Sequence, residues 1–99
     1  MIYFYFGTDS DKARKKAKAT IDSLLEKKPD AALIKINDEI LTDSRIDDLA
    51  YGQALFSGKY IVYFNKVFIN KENKELVLKK IKAVAKSENI FIFVEGKID

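Results

Sequence analysis

The chain of 99 residues has no cysteine and no histidine. Without cysteine it can form no disulfide, zinc ribbon or thiol nucleophile, and without histidine the Ser-His-Asp triad and imidazole metal sites are excluded as well. Its serines therefore have no imidazole to activate them. Proline occurs once and glycine four times, against 47% apolar and 33% charged residues, which is the composition of a folding domain rather than a disordered tail. Long hydrophobic runs are also missing. Ile2-Tyr3-Phe4-Tyr5-Phe6 follows Met1 with no basic stretch before it and stops at Gly7, too short for a signal-peptide core with its cleavage site or for a membrane span. The expectation is one cytoplasmic domain without membrane contact, although a lack of cysteine fits any compartment. A domain of this size buries roughly two thirds of the surface that its unfolded chain exposes.

Charge is unevenly spread behind the formal net value of +3. Residues 1–29 and 58–99 are basic and residues 30–57 acidic. Most lysines fall on two predicted helices, at 12, 15, 16 and 18 and at 71, 74, 79, 80, 82 and 86. The plainer reading of such lysines is a solvated helix face. The alternative is a weak, sequence-independent contact with a nucleic-acid backbone.

Periodicity alternates along the chain. Met1 to Phe6 is an unbroken apolar run of the kind found in a strand buried on both faces of a parallel sheet. Thr8 or Asp9 can cap a following helix that has Asp11 in its first turn, Ala13, Ala17, Ile21, Leu24 and Leu25 on one face, and its end at Lys27-Lys28-Pro29-Asp30. Ala31 to Asn37 is a second strand, and Thr42 caps a shorter helix with Ile46, Leu49 and Ala50 inside. Tyr60 to Phe64 is a third strand. Asn70 starts a third helix whose core face is Val77, Leu78, Ile81, Val84 and Ala85, and Ile90 to Val94 is the fourth strand. The order βαβαβαβ predicts a three-layer α/β fold, a four-stranded mainly parallel sheet with helices on both faces joined by right-handed crossovers.

Ligands of open parallel sheets bind at the carboxyl ends of the strands. Here those ends read Gly7-Thr8-Asp9-Ser10-Asp11, Asn37-Asp38-Glu39, Asn65-Lys66 and Glu95-Gly96-Lys97. The first lies where a phosphate loop would, but the positions of its second Gly, Lys and Ser/Thr, counted from Gly7, hold Lys12, Ala13 and Arg14. Asp9 and Asp11 would also set negative charge where phosphates must lie; they suit a helix N-terminus instead. Strand three ends in Asn65-Lys66 rather than an acidic pair, so nucleotide hydrolysis is not expected. Asp9, Asp11 and Asp38 could in principle gather around magnesium, yet each equally fits a cap or turn. No catalytic constellation, cofactor site or metal site follows.

One segment fits neither a helix stripe nor a strand. In Ala50-Tyr51-Gly52-Gln53-Ala54-Leu55-Phe56-Ser57-Gly58-Lys59, the pair Leu55-Phe56 stands between two turn signals. Two large apolar side chains on a turn either fold back onto the core or plug a hydrophobic groove on a partner.

Gly7-Thr8-Asp9, the helix Lys12 to Lys28, Leu55-Phe56-Ser57-Gly58-Lys59 leading into Tyr60-Ile61-Val62-Tyr63-Phe64, and the ending Ile90 to Asp99 together resemble the N-terminal domain of the delta subunit of the bacterial DNA polymerase III clamp loader. The resemblance spans essentially the whole chain. It implies a truncated AAA+-type fold with a degenerate phosphate loop at Gly7, Thr8, Asp9 and Ser10, no use of ATP, and a role in DNA replication. It further implies that Leu55 and Phe56, with Gln53 and Ala54 beside them, enter the pocket of the sliding clamp, the beta subunit. The family commonly has Gln four residues before the Leu, where this chain has Tyr51. The lid and collar domains of full-length delta subunits, through which they join other loader subunits, are absent from the sequence, which is expected to be a fragment or a small standalone relative. The resemblance also implies a further strand beside strand one, so that Met1 to Phe6 would lie along a sheet edge open to a second copy.

Overall fold

A computed structural model describes residues 1–7, 10–36, 40–52 and 58–96, Ser10 in its backbone only. Two runs without a charged residue until their last position make the centre of the sheet. They are β3 (Tyr60–Asn65) and β4 (Ile90–Glu95), and every residue of β4 is buried. β1 (Ile2–Phe6) pairs with β4 and β2 (Ala32–Ile36) with β3, all parallel, in the order β1-β4-β3-β2.

Such an order requires the chain to cross the whole sheet once, from β1 to β2, and then to step back strand by strand. With right-handed crossovers throughout, the first helix must then lie on one face and the later ones on the other. The packing follows this rule. The helix α1 (Ser10–Lys27) presents Ala13, Ala17 and Ile21 to Ile61, Ile90, Ile92 and Val94. On the opposite face α2 (Asp43–Tyr51), α3 (Lys71–Lys79) and α4 (Ile81–Lys86) send Ile46, Leu49, Val77 and Val84 onto Ile36, Val62, Phe64, Phe91 and Phe93. The architecture is thus a three-layer α/β fold with an all-parallel sheet. The alternation of side chains along each strand divides the core into these two halves.

The expected caps form at two helices. Thr42 Oγ1 accepts the Arg45 amide at 3.1 Å and Asn70 Oδ1 accepts the Asn73 amide at 3.1 Å. α1 carries Asp11 in its first turn and Lys27 in its last, both matched to the helix dipole. Its candidate caps Thr8 and Asp9 lie outside the described residues.

Two expectations are corrected. Met1 to Phe6 is not buried on both faces: β1 is an edge strand, with Phe4 and Phe6 exposed. The third helix is not continuous but breaks at Lys80, whose φ and ψ are −97° and 7°. Along the two helices Leu78, Ile81 and Ala85 face outward and the core receives Val77 and Val84, with Leu76 partly buried. The bend is stabilised from α2, since Lys80 Nζ lies 3.2 Å from Asp47 and 3.9 Å from Asp43. A 3₁₀ turn, Val67–Ile69, follows β3 after Lys66, which adopts the left-handed conformation at φ 56°.

Candidate functional site

At the carboxyl end of the sheet, β1 gives way to Gly7, whose φ of 152° is one that L side chains rarely adopt. α1 begins three residues later, at Ser10. Of the residues standing where a phosphate loop needs Gly, Lys and Ser/Thr, two are committed elsewhere. Ala13 is buried against the sheet, and Arg14 pairs with Asp11. Asp11 is the one described member of the candidate magnesium triad, since Asp9 and Asp38 lie outside the described residues, as do Thr8 and Lys97.

β3 and β4 end in Asn65 and Glu95. Glu95 is 2% exposed, and its Oε1 accepts the Phe68 amide of the 3₁₀ turn at 3.1 Å, while Oε2 has no partner among the described residues. Burial raises the Glu95 pKa to about 7; the amides of Phe68 and Val67 and the Lys66 ammonium only partly offset this. Asn65 Oδ1 is likewise buried without a partner among the described residues. The two do not converge. Asn65 shares the α1 face of β3 with Ile61, whereas Glu95 shares the opposite face of β4 with Phe91 and Phe93. A carboxyl that still holds its proton about half the time at neutral pH is thus present, but beside neither a second acid nor a nucleophile among the described residues.

At the amino end of the sheet the geometry is more organised. Gln53, Ala54, Leu55, Phe56 and Ser57, which join α2 to β3, lie outside the described residues, but both of their anchor points are described. Asn89, 4% exposed and just before β4, holds both. Its Nδ2 donates to the carbonyls of Leu49 (2.8 Å) and Gly52 (2.9 Å), and its Oδ1 accepts the Tyr60 amide at 2.9 Å. One side chain therefore ties the end of α2 to the start of β3. Ser87 reinforces it: its hydroxyl donates to the Ala50 carbonyl and accepts the Asn89 amide. The Met1 amine donates to the carbonyls of Ser87 (3.0 Å) and Asn89 (3.2 Å).

Gly52 is required where the chain leaves α2. Its amide donates to Asp48 at 2.8 Å, and a Cβ added there would sit 2.4 Å from the Asp48 carbonyl oxygen and 2.9 Å from the Tyr60 ring. Gly58 at the other end is buried, and the next residue, Lys59, accepts the Ala32 amide at its carbonyl. A hollow of about 360 Å³ opens beside these anchors, between Tyr51, Gly52, Lys59, Lys86 and Ser87.

The lysines of α1 and those of α3 and α4 stand on helices packed against opposite faces of the sheet, so the three helices do not build one basic surface. Lys79 and Lys80 are drawn to Asp43 and Asp47 on α2. No described helix is long and apolar enough to cross a membrane, and no described group of acids is arranged to hold a metal ion.

Fold and site together define a three-layer α/β domain in which the end of α2 and the start of β3 are tied to one buried asparagine at the amino end of the sheet. No protein-family model matches the chain, and no curated protein or solved structure gives a significant match.

Asn89 and Ser87 were not legible as site residues in the sequence, and Glu95 stood out only as one of the strand ends. The one available signal was a polar residue flush against the apolar run of β4 at each end, a position where a side chain is carried into the core by its neighbours.

Proposed function

We propose that this chain is a non-catalytic, cytoplasmic DNA replication domain that binds the sliding clamp through Leu55 and Phe56, in the manner of clamp-loader delta subunits. The observation that supports the reading best is the double tether of the segment carrying the pair. Asn89 fixes Gly52 on one side and Tyr60 on the other, so Gln53, Ala54, Leu55 and Phe56 start and finish on the same rigid platform. A short segment with fixed ends loses less conformational entropy when a partner orders it. The occupied positions of the degenerate loop also favour a truncated AAA+-type domain that recognises a protein rather than hydrolysing a nucleotide, and β1 lies at the edge where that fold expects a further strand.

Two anchors of this kind contribute about 2 kcal/mol or more each when they fill a partner's pocket. The double variant Leu55→Ala, Phe56→Ala is expected to lose clamp binding in surface plasmon resonance while its circular dichroism and unfolding midpoint stay close to the parent. Retained binding by a folded double variant defeats the proposal. Binding to DNA that falls steeply with salt and ignores the pair would instead point to the lysine-bearing helices.

A further inference from the structure

The open edge of β1 is unlike the other edge of the sheet. β2 carries the exposed Lys35, a charge of the kind that discourages strand addition, whereas β1 has no charged residue from Ile2 to Phe6 and contains no proline. Lys12 and Lys16 stand on α1 beside the carboxyl end of β1 and not on the strand, and the Met1 amine at its amino end is turned to the Ser87 and Asn89 carbonyls.

The backbone and the side chains of β1 point to the same kind of partner. Phe91 donates to the Met1 carbonyl at 2.8 Å, and continuation of that parallel ladder turns the amides and carbonyls of Tyr3 and Tyr5 toward β4. Those of Ile2, Phe4 and Phe6 therefore face the open edge. On the α2–α4 face, Phe64, Phe93 and Phe4 form a row across three neighbouring strands, with ring centroids 4.6 Å and 5.8 Å apart. The row stops at Phe4, 37% exposed, beside Phe6 at 64% and, across the Phe4–Phe68 ring contact, Ile69 at 81%.

We propose that β1 pairs antiparallel with β1 of a second copy of this chain, about a two-fold axis through Phe4, to make one continuous eight-stranded sheet. In this register Phe4 faces Phe4 of the second copy, Ile2 faces Phe6, and Tyr3 faces Tyr5. Each outward-facing residue thereby exchanges both backbone hydrogen bonds with its opposite number. The phenylalanine row continues through the axis into the second copy, and the tyrosines meet on the α1 face. The contact is isologous, and Lys35 on the outer edge of β2 keeps it closed at two copies. It is independent of the Leu55-Phe56 segment, which lies between α2 and β3, so clamp binding and dimer formation can fail separately.

Sedimentation velocity over a wide range of chain concentration is expected to show a monomer–dimer equilibrium with no larger species. Phe6→Lys, at an exposed position with no core role, should raise the dimer dissociation constant roughly tenfold or more, through loss of both Ile2–Phe6 pairs, without changing the circular dichroism spectrum. Because the chain lacks cysteine, Phe4→Cys tests the register directly: mild oxidation should give a covalent dimer, whereas Met1→Cys should not. A chain that stays monomeric at every concentration, a dimer that ignores Phe6→Lys, an open series of higher oligomers, or a Phe4→Cys dimer that does not cross-link each overturns the proposal.

Discussion

Replacing Asn89 by alanine removes the three side-chain hydrogen bonds that join the end of α2 to the start of β3. The Leu49 carbonyl is fully enclosed and loses its Asn89 donor outright, while the Gly52 carbonyl and the Tyr60 amide are only partly buried. An orphaned buried backbone group costs about 1–3 kcal/mol, and water entering the hollow beside Gly52 relieves part of the loss at the two outer groups. The expected destabilisation is therefore about 3 kcal/mol, read as a lower urea midpoint at unchanged m-value. Native-state hydrogen exchange adds a local signature, because the Tyr60 amide should lose protection more than the Phe91 amide, which donates to the Met1 carbonyl. Asn89→Asp separates the two halves of the interaction. It keeps an acceptor for Tyr60 but turns a carboxylate toward two carbonyls, so its deficit should deepen as pH rises through the carboxyl titration. If Asn89→Ala costs less than about 1 kcal/mol, or if protection falls evenly across the sheet, the platform is held by something other than this side chain.

Glu95 makes stability depend on pH. Its carboxyl titrates near 7 in the folded chain against an ordinary value of 4.5, so between these pH values the folded state retains a proton that the unfolded state has released. Stability should be unaffected by Glu95 below pH 4.5, fall as pH rises through the window, and level off above 7, a loss of at most about 3 kcal/mol. The Met1 amine is held below its usual 8.0 by burial and by Lys59, and acts in the opposite sense at the upper end. The difference between parent and Glu95→Gln is therefore the measurement, and parallel stability profiles for the two would refute the assignment. The packing of α3 makes a second, separate expectation: Val77→Ala, at a buried position, should cost about 2 kcal/mol, and Leu78→Ala, at 52% exposure, should stay within about 0.5 kcal/mol in denaturant titrations. Equal costs would mean that α3 turns a different face to the core.

How far the sequence could lead depended on whether a feature is decided locally. The four strands, the Thr42 and Asn70 caps and the inner stripe Ile46, Leu49 and Ala50 all follow from spacing and from short-range hydrogen bonding, and the chain forms them as expected. Met1 to Phe6 shows where local information ends. An aromatic run signals a strand, but only the pairing order decides whether such a strand lies in the middle of the sheet or at its edge. Leu78, Ile81 and Ala85 fit a helical stripe beside Val77 and Val84, and only the tertiary packing decides that the two valines enter the core while the other three stay outside. The same distinction separates the two halves of the candidate site. Leu55 and Phe56 were visible because two bulky apolar residues between turn signals violate the local pattern. Asn89 was not, because its partners Leu49, Gly52 and Tyr60 lie 29 to 40 residues away and a lone asparagine before a strand resembles any turn. A segment proposed to bind can thus stand out in sequence while the residue that ties its two flanks together cannot. That asymmetry makes Asn89, and not the proposed pair, the residue that structure adds.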